Sequence, residues 1–176
     1  MRSTTSRRRS ALNNEMIKPV AEVHLRHVRK EDLPVFFEHQ RDPEASYMAA
    51  FTSRDPQDRD VFDAHWARVL GDPSITIRTI ELEGEVVGNI VCFPHFGKPS
   101  VGYWIGKDYW GKGVATAALL AFLVEHRSRP LYAAAAADNL ASIRVLEKCG
   151  FAVYGHEKGY ANARAAEIDE VLLKLD

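Results

Sequence analysis

The chain has 176 residues, 46% of them apolar and 27% charged, with 23 basic against 24 acidic side chains and a formal net charge of minus one. That length accommodates one well-buried core and is short for two, and the composition is that of a folded chain rather than a disordered one. Near-neutrality gives no global attraction to nucleic acid or to an anionic membrane surface, so a charged partner has to be met locally.

The first residues, MRSTTSRRRSALNN, are rich in arginine and serine and free of acids. Residues 1–20 are therefore expected as a disordered leader, with an organelle transit peptide as the alternative and Met16 as a second candidate start. Residues 21–176 are expected as one domain. EVHLRHVR alternates Val23, Leu25 and His27 against Glu22, His24 and Arg26, the pattern of a half-buried strand. KEDLPVFFEHQ has acids and a proline in its first turn and apolar residues at helical spacing, so a helix follows. RDPEASYMAAFTSRDPQ, punctuated by proline and aspartate, is expected as a loop. DRDVFDAHWARVL then places Val61, His65, Trp66 and Val69 on one face of a second helix.

SITIRTIEL and EVVGNIVCFP alternate across a short glycine turn, and KPSVGYWIG extends them into an antiparallel meander. Beyond it the period changes. GVATAALLAFLVEHR is helical, PLYAAAAAD reads as a short strand with helix as the alternative, and NLASIRVLEKCG is a helix closed by Gly150. FAVYGHEKGY and EIDEVLLKL supply two final strands. No apolar run approaches the roughly 20 residues that span a bilayer. Cys92 and Cys149 lie far apart without metal-ligand spacing. A reducing, cytoplasmic location without membrane or nucleic-acid partners is expected, and no metal is called for.

The stretch DYWGKGVAT joins the strand VGYWI to the helix that begins near Gly113. The first N–H groups of a helix have no partner inside it, and the helix dipole places partial positive charge at the same end. Gly111, Gly113 and Ala115 keep side chains away from those amides, and Lys112 adds a cation at the rim, so the stretch is suited to a phosphate. A P-loop is excluded because none of the three Gly-Lys pairs is followed by serine or threonine: Pro99, Asp108 and Gly113 stand there. A dinucleotide fingerprint lacks its third glycine, where Thr116 stands, and the upstream half is a meander rather than a parallel array.

The order of elements, with this loop and a second block N-L-A-S-I-R-V-L-E-K-C-G-F from Asn139 to Phe151, resembles the GNAT family of acyl-CoA-dependent N-acetyltransferases. GYWI at 102–105 and RDPEASYM at 41–48 are similar to the group around the ribosomal-protein N-terminal acetylases. The resemblance covers roughly residues 22–174. It implies an α+β fold, a mixed central sheet splayed at the strand pair that holds the cofactor, with helices on both faces, and makes 21–176 a single acetyltransferase domain.

It further implies acetyl-CoA as donor, with pantetheine bonding the backbone at Trp104, Ile105 and Gly106 and the pyrophosphate on the amides of Gly111, Lys112, Gly113, Val114, Ala115 and Thr116. Asn139 would bond the pantetheine arm. A strand N–H near Ile105 would stabilise the oxyanion. Trp110 stands where the family carries glutamine or arginine, and Leu146 where many members carry a tyrosine acid, leaving Ser142 as the residue expected to assist thiolate departure. The acceptor is expected to be a primary amine, a protein N-terminus or a small molecule. The family's frequent dimers admit a homodimer. The contrary reading is a non-catalytic acyl-CoA-binding or regulatory module of the same fold; both bind the cofactor, and only the enzyme releases free CoA.

Other candidates divide between site and plain packing. His24 and His27 fall on opposite strand faces, which argues against a metal pair. His65 and Trp66 are readable as acceptor contacts or core, and Tyr47, Met48 and Phe51 as acceptor wall or core. His95 is a loop histidine with an exposed-surface reading, and Ser100 replaces a glutamate frequent in relatives.

Overall fold

In the computed structural model, which describes residues 22–176, the alternating stretches form β1 (Val23–Arg26), β2 (Thr76–Leu82), β3 (Glu85–His95), β4 (Lys98–Ile105), β5 (Leu131–Ala136), β6 (Ala152–Ala161) and β7 (Ala166–Leu175). The expected leader lies outside the described residues. The helical stretches form α1 (Leu33–Arg41), α2 (Pro43–Ala49), α3 (Arg59–Gly71), α4 (Val114–Glu125) and α5 (Leu140–Lys148). One sheet orders the strands β1-β2-β3-β4-β5-β7-β6. β1 to β4 are antiparallel neighbours, as are β5, β7 and β6, and the two halves meet where β4 and β5 run parallel.

That meeting is minimal. β4 and β5 pair only at Ser100 and Tyr132, whereas β5 and β7 stay in register from Leu131/Leu175 to Ala136/Glu170. The sheet is therefore splayed between β4 and β5 in the direction of Ile105 and Ala136. The alanine run is strand, and its small side chains suit a strand that leaves a gap beside it.

Helices cover both faces. Ile77 and Ile80, three apart in β2 and so on opposite faces, mark the two sides. Ile80, Ile90, Val101, Leu131 and Leu173 pack with Val114, Leu119 and Phe122 of α4 and Leu146 of α5. Ile77 and Val86 pack with Phe36 and Phe37 of α1 and Phe62 and Trp66 of α3. In α3 the inward residues are thus Phe62, Trp66 and Val69; Val61 is 46% exposed, and His65 is also outside the core, one step off the stripe the sequence pattern implied. Trp66 is core, with its ring 5.0 Å from that of Phe36.

The segment 41–57, expected as a loop, contains α2. Its cause is local: the Asp42 carboxylate accepts from the Ala45 N–H at 2.8 Å, and Pro43 supplies a pre-set first turn. Ala50 stops the helix at φ 62°. Such a cap-and-proline signal outweighs the turn-forming reading of the same two residues.

Arg26 is turned inward. Its guanidinium grips Asp32 at 2.7 and 2.8 Å and reaches Glu81, while Asp32 also accepts from the Arg29 N–H at 2.8 Å and the Thr79 hydroxyl at 2.7 Å. Burial alone would raise the Asp32 carboxyl, but the bonds from Arg26, Arg29 and Thr79 together hold it below its ordinary value. This cluster joins β1, the entry to α1, and β2.

A second acidic contact has the opposite sign. Glu157 and Glu170 are cross-strand partners on β6 and β7, and like charges in that position repel. Burial, a hydrogen bond with Glu157 and its charge push the Glu170 carboxyl from 4.5 up to about 7. Between those values the folded chain holds more protons than the unfolded one, so this site's contribution to stability falls as pH rises from 4.5 to 7. Glu170→Gln is expected to stabilise the fold at pH 8 by about 1–2 kcal/mol after solvent screening. The gain should vanish near pH 4.5 in urea titrations; an equal gain at both pH values would exclude carboxylate charge as the cause.

Candidate functional site

β4 carries the site's first wall. Gly106, just past its end, donates its N–H to the Val87 carbonyl at 2.8 Å, so that amide is committed to β3. The Ile105 carbonyl instead accepts the indole N–H of Trp110 at 2.9 Å. Because the N–H and C=O of one strand residue point the same way, Ile105 presents its backbone away from β3. The backbones of β3 and β4 come close together here. A Cβ added at Gly88 would lie 2.1 Å from the Trp104 carbonyl oxygen, a contact no side chain survives, so Gly88 permits the course that β4 takes.

Trp104 and Gly106 are flanked by unmet polarity. The indole N–H of Trp104 and Nδ1 of His39 are buried without a hydrogen-bond partner among the described residues. The His39 ring stands so near Gly106 that a methyl there would be 2.6 Å from Nε2. Burial pushes His39 below its ordinary range, against the opposing charge of Asp108, so the imidazole is neutral at pH 7. A recess of about 200 Å³ lies here, lined by Glu38, His39, Asp42 and residues 106–109.

Beyond β4 a 3-10 turn at Lys107–Tyr109 leads into the glycine stretch. Gly111 and Gly113 take φ of 71° and 78°, the left-handed region, and open space surrounds the direction a Cβ would take at each. Gly113 is the N-cap of α4 and caps nothing with a side chain. Six consecutive N–H groups, from Gly111 to Thr116, consequently have no acceptor among the described residues. Lys112 stays at the rim with its ammonium 5.5 Å from the Tyr109 ring centre. Trp110, the departure from the expected glutamine or arginine, acts as a clasp that ties this loop back to the end of β4 through Ile105.

The second wall is β5 and the entry to α5. Asn139 is the N-cap of α5: its amide oxygen accepts from the Ser142 N–H at 3.2 Å, and its amide nitrogen donates to the Met48 carbonyl at 3.1 Å. Its oxygen is thus engaged within the chain, and one of its N–H bonds remains for another acceptor. Ser142 lies one turn on, its hydroxyl 2.8 Å from the hydroxyl of Tyr103, which reaches over from β4. Leu146 is buried and belongs to the core. Tyr103 and Ser142 are 39 positions apart, so no local pattern announces their contact.

Over the open end of the gap lies α2. Met48 is held by Asn139, and Arg164, in the turn between β6 and β7, donates to the Tyr47 carbonyl at 3.0 Å while gripping Asp138 at 2.6 and 2.9 Å. That guanidinium, first of all, keeps the Asp138 carboxyl below its ordinary range. The Tyr47 ring is 50% exposed and stacks under Arg164 at 4.3 Å, and Phe51 is half-exposed against Gly159. An adjoining recess of about 290 Å³ is lined by residues of α2, of 52–57 and of the turn at 162–163. His95 and Phe96 are exposed at the far turn of the meander, and the Ser100 hydroxyl bonds its own strand. No group of three or more metal-ligating side chains occurs among the described residues. No helix among them is long and apolar enough to cross a membrane.

Comparison with known proteins agrees with this arrangement. Residues 22–152 match the acetyltransferase (GNAT) domain family. No protein of curated function matches the sequence. Among solved structures, the chain is similar to RimL, a ribosomal L7/L12 alpha-N-protein acetyltransferase in complex with coenzyme A, with a TM-score of 0.74 at 18% identity over 90% of this chain and 96% of that one. It is similar to the Vibrio cholerae spermidine N-acetyltransferase in complex with CoA and spermine, with a TM-score of 0.75 at 15% identity over 87% and 94%. Mycobacterium smegmatis RimJ in complex with CoA-disulfide gives 0.72 at 25% identity over 89% and 83%.

Proposed function

The chain belongs to the acetyltransferase (GNAT) domain family, and from that premise we propose that it transfers an acetyl group from acetyl-CoA to a primary amine by direct attack on the thioester. The observation that carries this reading is the run of six N–H groups, Gly111 to Thr116, that have no acceptor among the described residues at the start of α4. Such a run is costly unless an anion or water meets it, and a pyrophosphate carries the charge and acceptors to do so. The opening between β4 and β5 fits an extended arm beside it.

The donor supplies an acetyl group already activated as a thioester. What the chain adds is placement and polarity. The Ile105 backbone, turned from β3, offers an N–H to the developing oxyanion, and Asn139 retains an N–H for the arm. Ser142 donates a hydrogen bond to the departing sulfur. The acceptor enters beside α2 and the turn at 162–164, where Tyr47 and Phe51 offer exposed aromatic surface. RimL is named for a protein N-terminus and the Vibrio enzyme for spermidine, so both acceptor classes belong in the test. We assign one acetyltransferase domain over 21–176, a cytoplasmic location and a homodimer to the same reading.

A panel of N-terminal peptides, polyamines and aminoglycosides, scored for thiol release from acetyl-CoA, tests it. One class of amine is expected to release thiol well above the amine-free rate. Acetyl-CoA binding without release on any amine would instead support the non-catalytic module.

A further inference from the structure

We infer that Tyr103 is a positioning residue that fixes the direction of the Ser142 hydroxyl across the β4–β5 gap. This inference rests on the acetyl-transfer reading and names a part of its site that the sequence pattern did not single out.

Tyr103 lies on the wall strand β4, and Ser142 lies in the first turn of α5 on the other side of the opening. Past the single paired position, Ser100 and Tyr132, no backbone pairing joins these two strands. The two hydroxyls, 2.8 Å apart, bridge the gap there, and the Tyr103 hydroxyl also lies 3.3 Å from the Ser142 carbonyl. Ser142 is held from its own side as well, because its N–H is fixed by the Asn139 cap.

A serine hydroxyl has one proton and rotates to suit its neighbours. Burial, opposed by the bond to Ser142 and assisted by Cys149, pushes the Tyr103 phenol up to about 12, so it keeps its proton throughout the working pH range. A tyrosine that donates to Ser142 Oγ leaves the serine's own O–H pointing elsewhere, free to donate. In the proposed reaction the recipient is the sulfur as its bond to the acetyl carbon breaks and it takes up the electron pair. No net proton transfer from either hydroxyl is needed: the proton lost by the attacking amine passes to solvent, and the sulfur leaves as a hydrogen-bonded thiolate.

The test compares Tyr103→Phe, Ser142→Ala and the double variant with the parent, using acetyl-CoA and the best amine of the panel. Each single variant is expected to lower kcat by roughly tenfold, the double variant by little more than either, and KM for acetyl-CoA to move little, as for groups acting as one unit. Thermal midpoints measured alongside separate this from a packing effect. The inference falls if Tyr103→Phe keeps the parental kcat, if it changes KM and thermal midpoint alone, or if the two losses multiply in the double variant. Loss in Ser142→Ala with none in Tyr103→Phe defeats only this inference. Full activity in both also removes Ser142 from the proposed chemistry, while failure of the parent to bind acetyl-CoA defeats the acetyl-transfer reading itself.

Discussion

Gly113→Glu is expected to abolish acetyl-CoA binding, weakening it by more than about a hundredfold, while the protein stays folded. Two effects act in the same direction. A carboxylate would stand among six N–H groups that have no acceptor among the described residues, and would both compete for them and repel a pyrophosphate. The residue would also have to hold φ at 78°, which costs an ordinary side chain on the order of 1–2 kcal/mol. A Cβ at this position meets nothing within 4 Å, so collapse of the fold is not the expected cause of the loss. Gly113→Ala separates the two effects, because it carries the backbone cost without the charge and should retain most of the affinity. Calorimetry with acetyl-CoA reads both variants. Unchanged affinity in Gly113→Glu would remove the loop from the cofactor site.

Asp32→Ala carries the largest expected effect on stability. Asp32 is 2% exposed and accepts four hydrogen bonds, two from Arg26, one from the Arg29 amide and one from Thr79. Removing it leaves a guanidinium turned into the protein with only Glu81 and the His27 carbonyl as partners among the described residues, and strips partners from a buried hydroxyl and an amide. Breaking one partner of a buried ion pair costs about 3–5 kcal/mol, a large share of the roughly 5–15 kcal/mol that holds an ordinary domain together. Urea denaturation at pH 7 should show that loss. A drop below about 1 kcal/mol would mean that Glu81 and the His27 carbonyl suffice for Arg26 and that the cluster is not a unit. The parent itself should weaken in acid: the Asp32 carboxyl lies below its ordinary value, so its contribution is present above pH 3.8 and is lost as pH falls through the folded value.

What a residue reveals in the sequence depends on how far along the chain its neighbours lie. Alternation in SITIRTIEL and EVVGNIVCFP identifies strands because every second side chain faces one side whatever the fold. The glycine stretch is legible for the same reason, since left-handed backbone and unpaired helix-start amides are local properties of Gly111 to Thr116. α2 is ambiguous in the sequence: Asp42 and Pro43 serve equally as a helix cap and first turn or as loop residues, and only the folded chain shows the helix.

The face of α3 shows where periodicity runs short. Val61 and Phe62 are both apolar, and only the position of α1 decides that Phe62 turns inward and Val61 outward.

By itself, then, the sequence determined the strands and the helices other than α2 in their order, the small-residue loop at the start of α4, and a resemblance that both the family match and the fold bear out. Tertiary structure alone decided which distant groups meet. Thr79 reaches Asp32 across 47 positions, Tyr103 reaches Ser142 across 39, and Gly88 yields space to the Trp104 carbonyl of the neighbouring strand. Helical and strand periodicities are consequences of backbone geometry within a few residues, so they can be read along the chain. Contacts between strands and helices depend on register, splay and crossing, which are fixed only when the whole core packs.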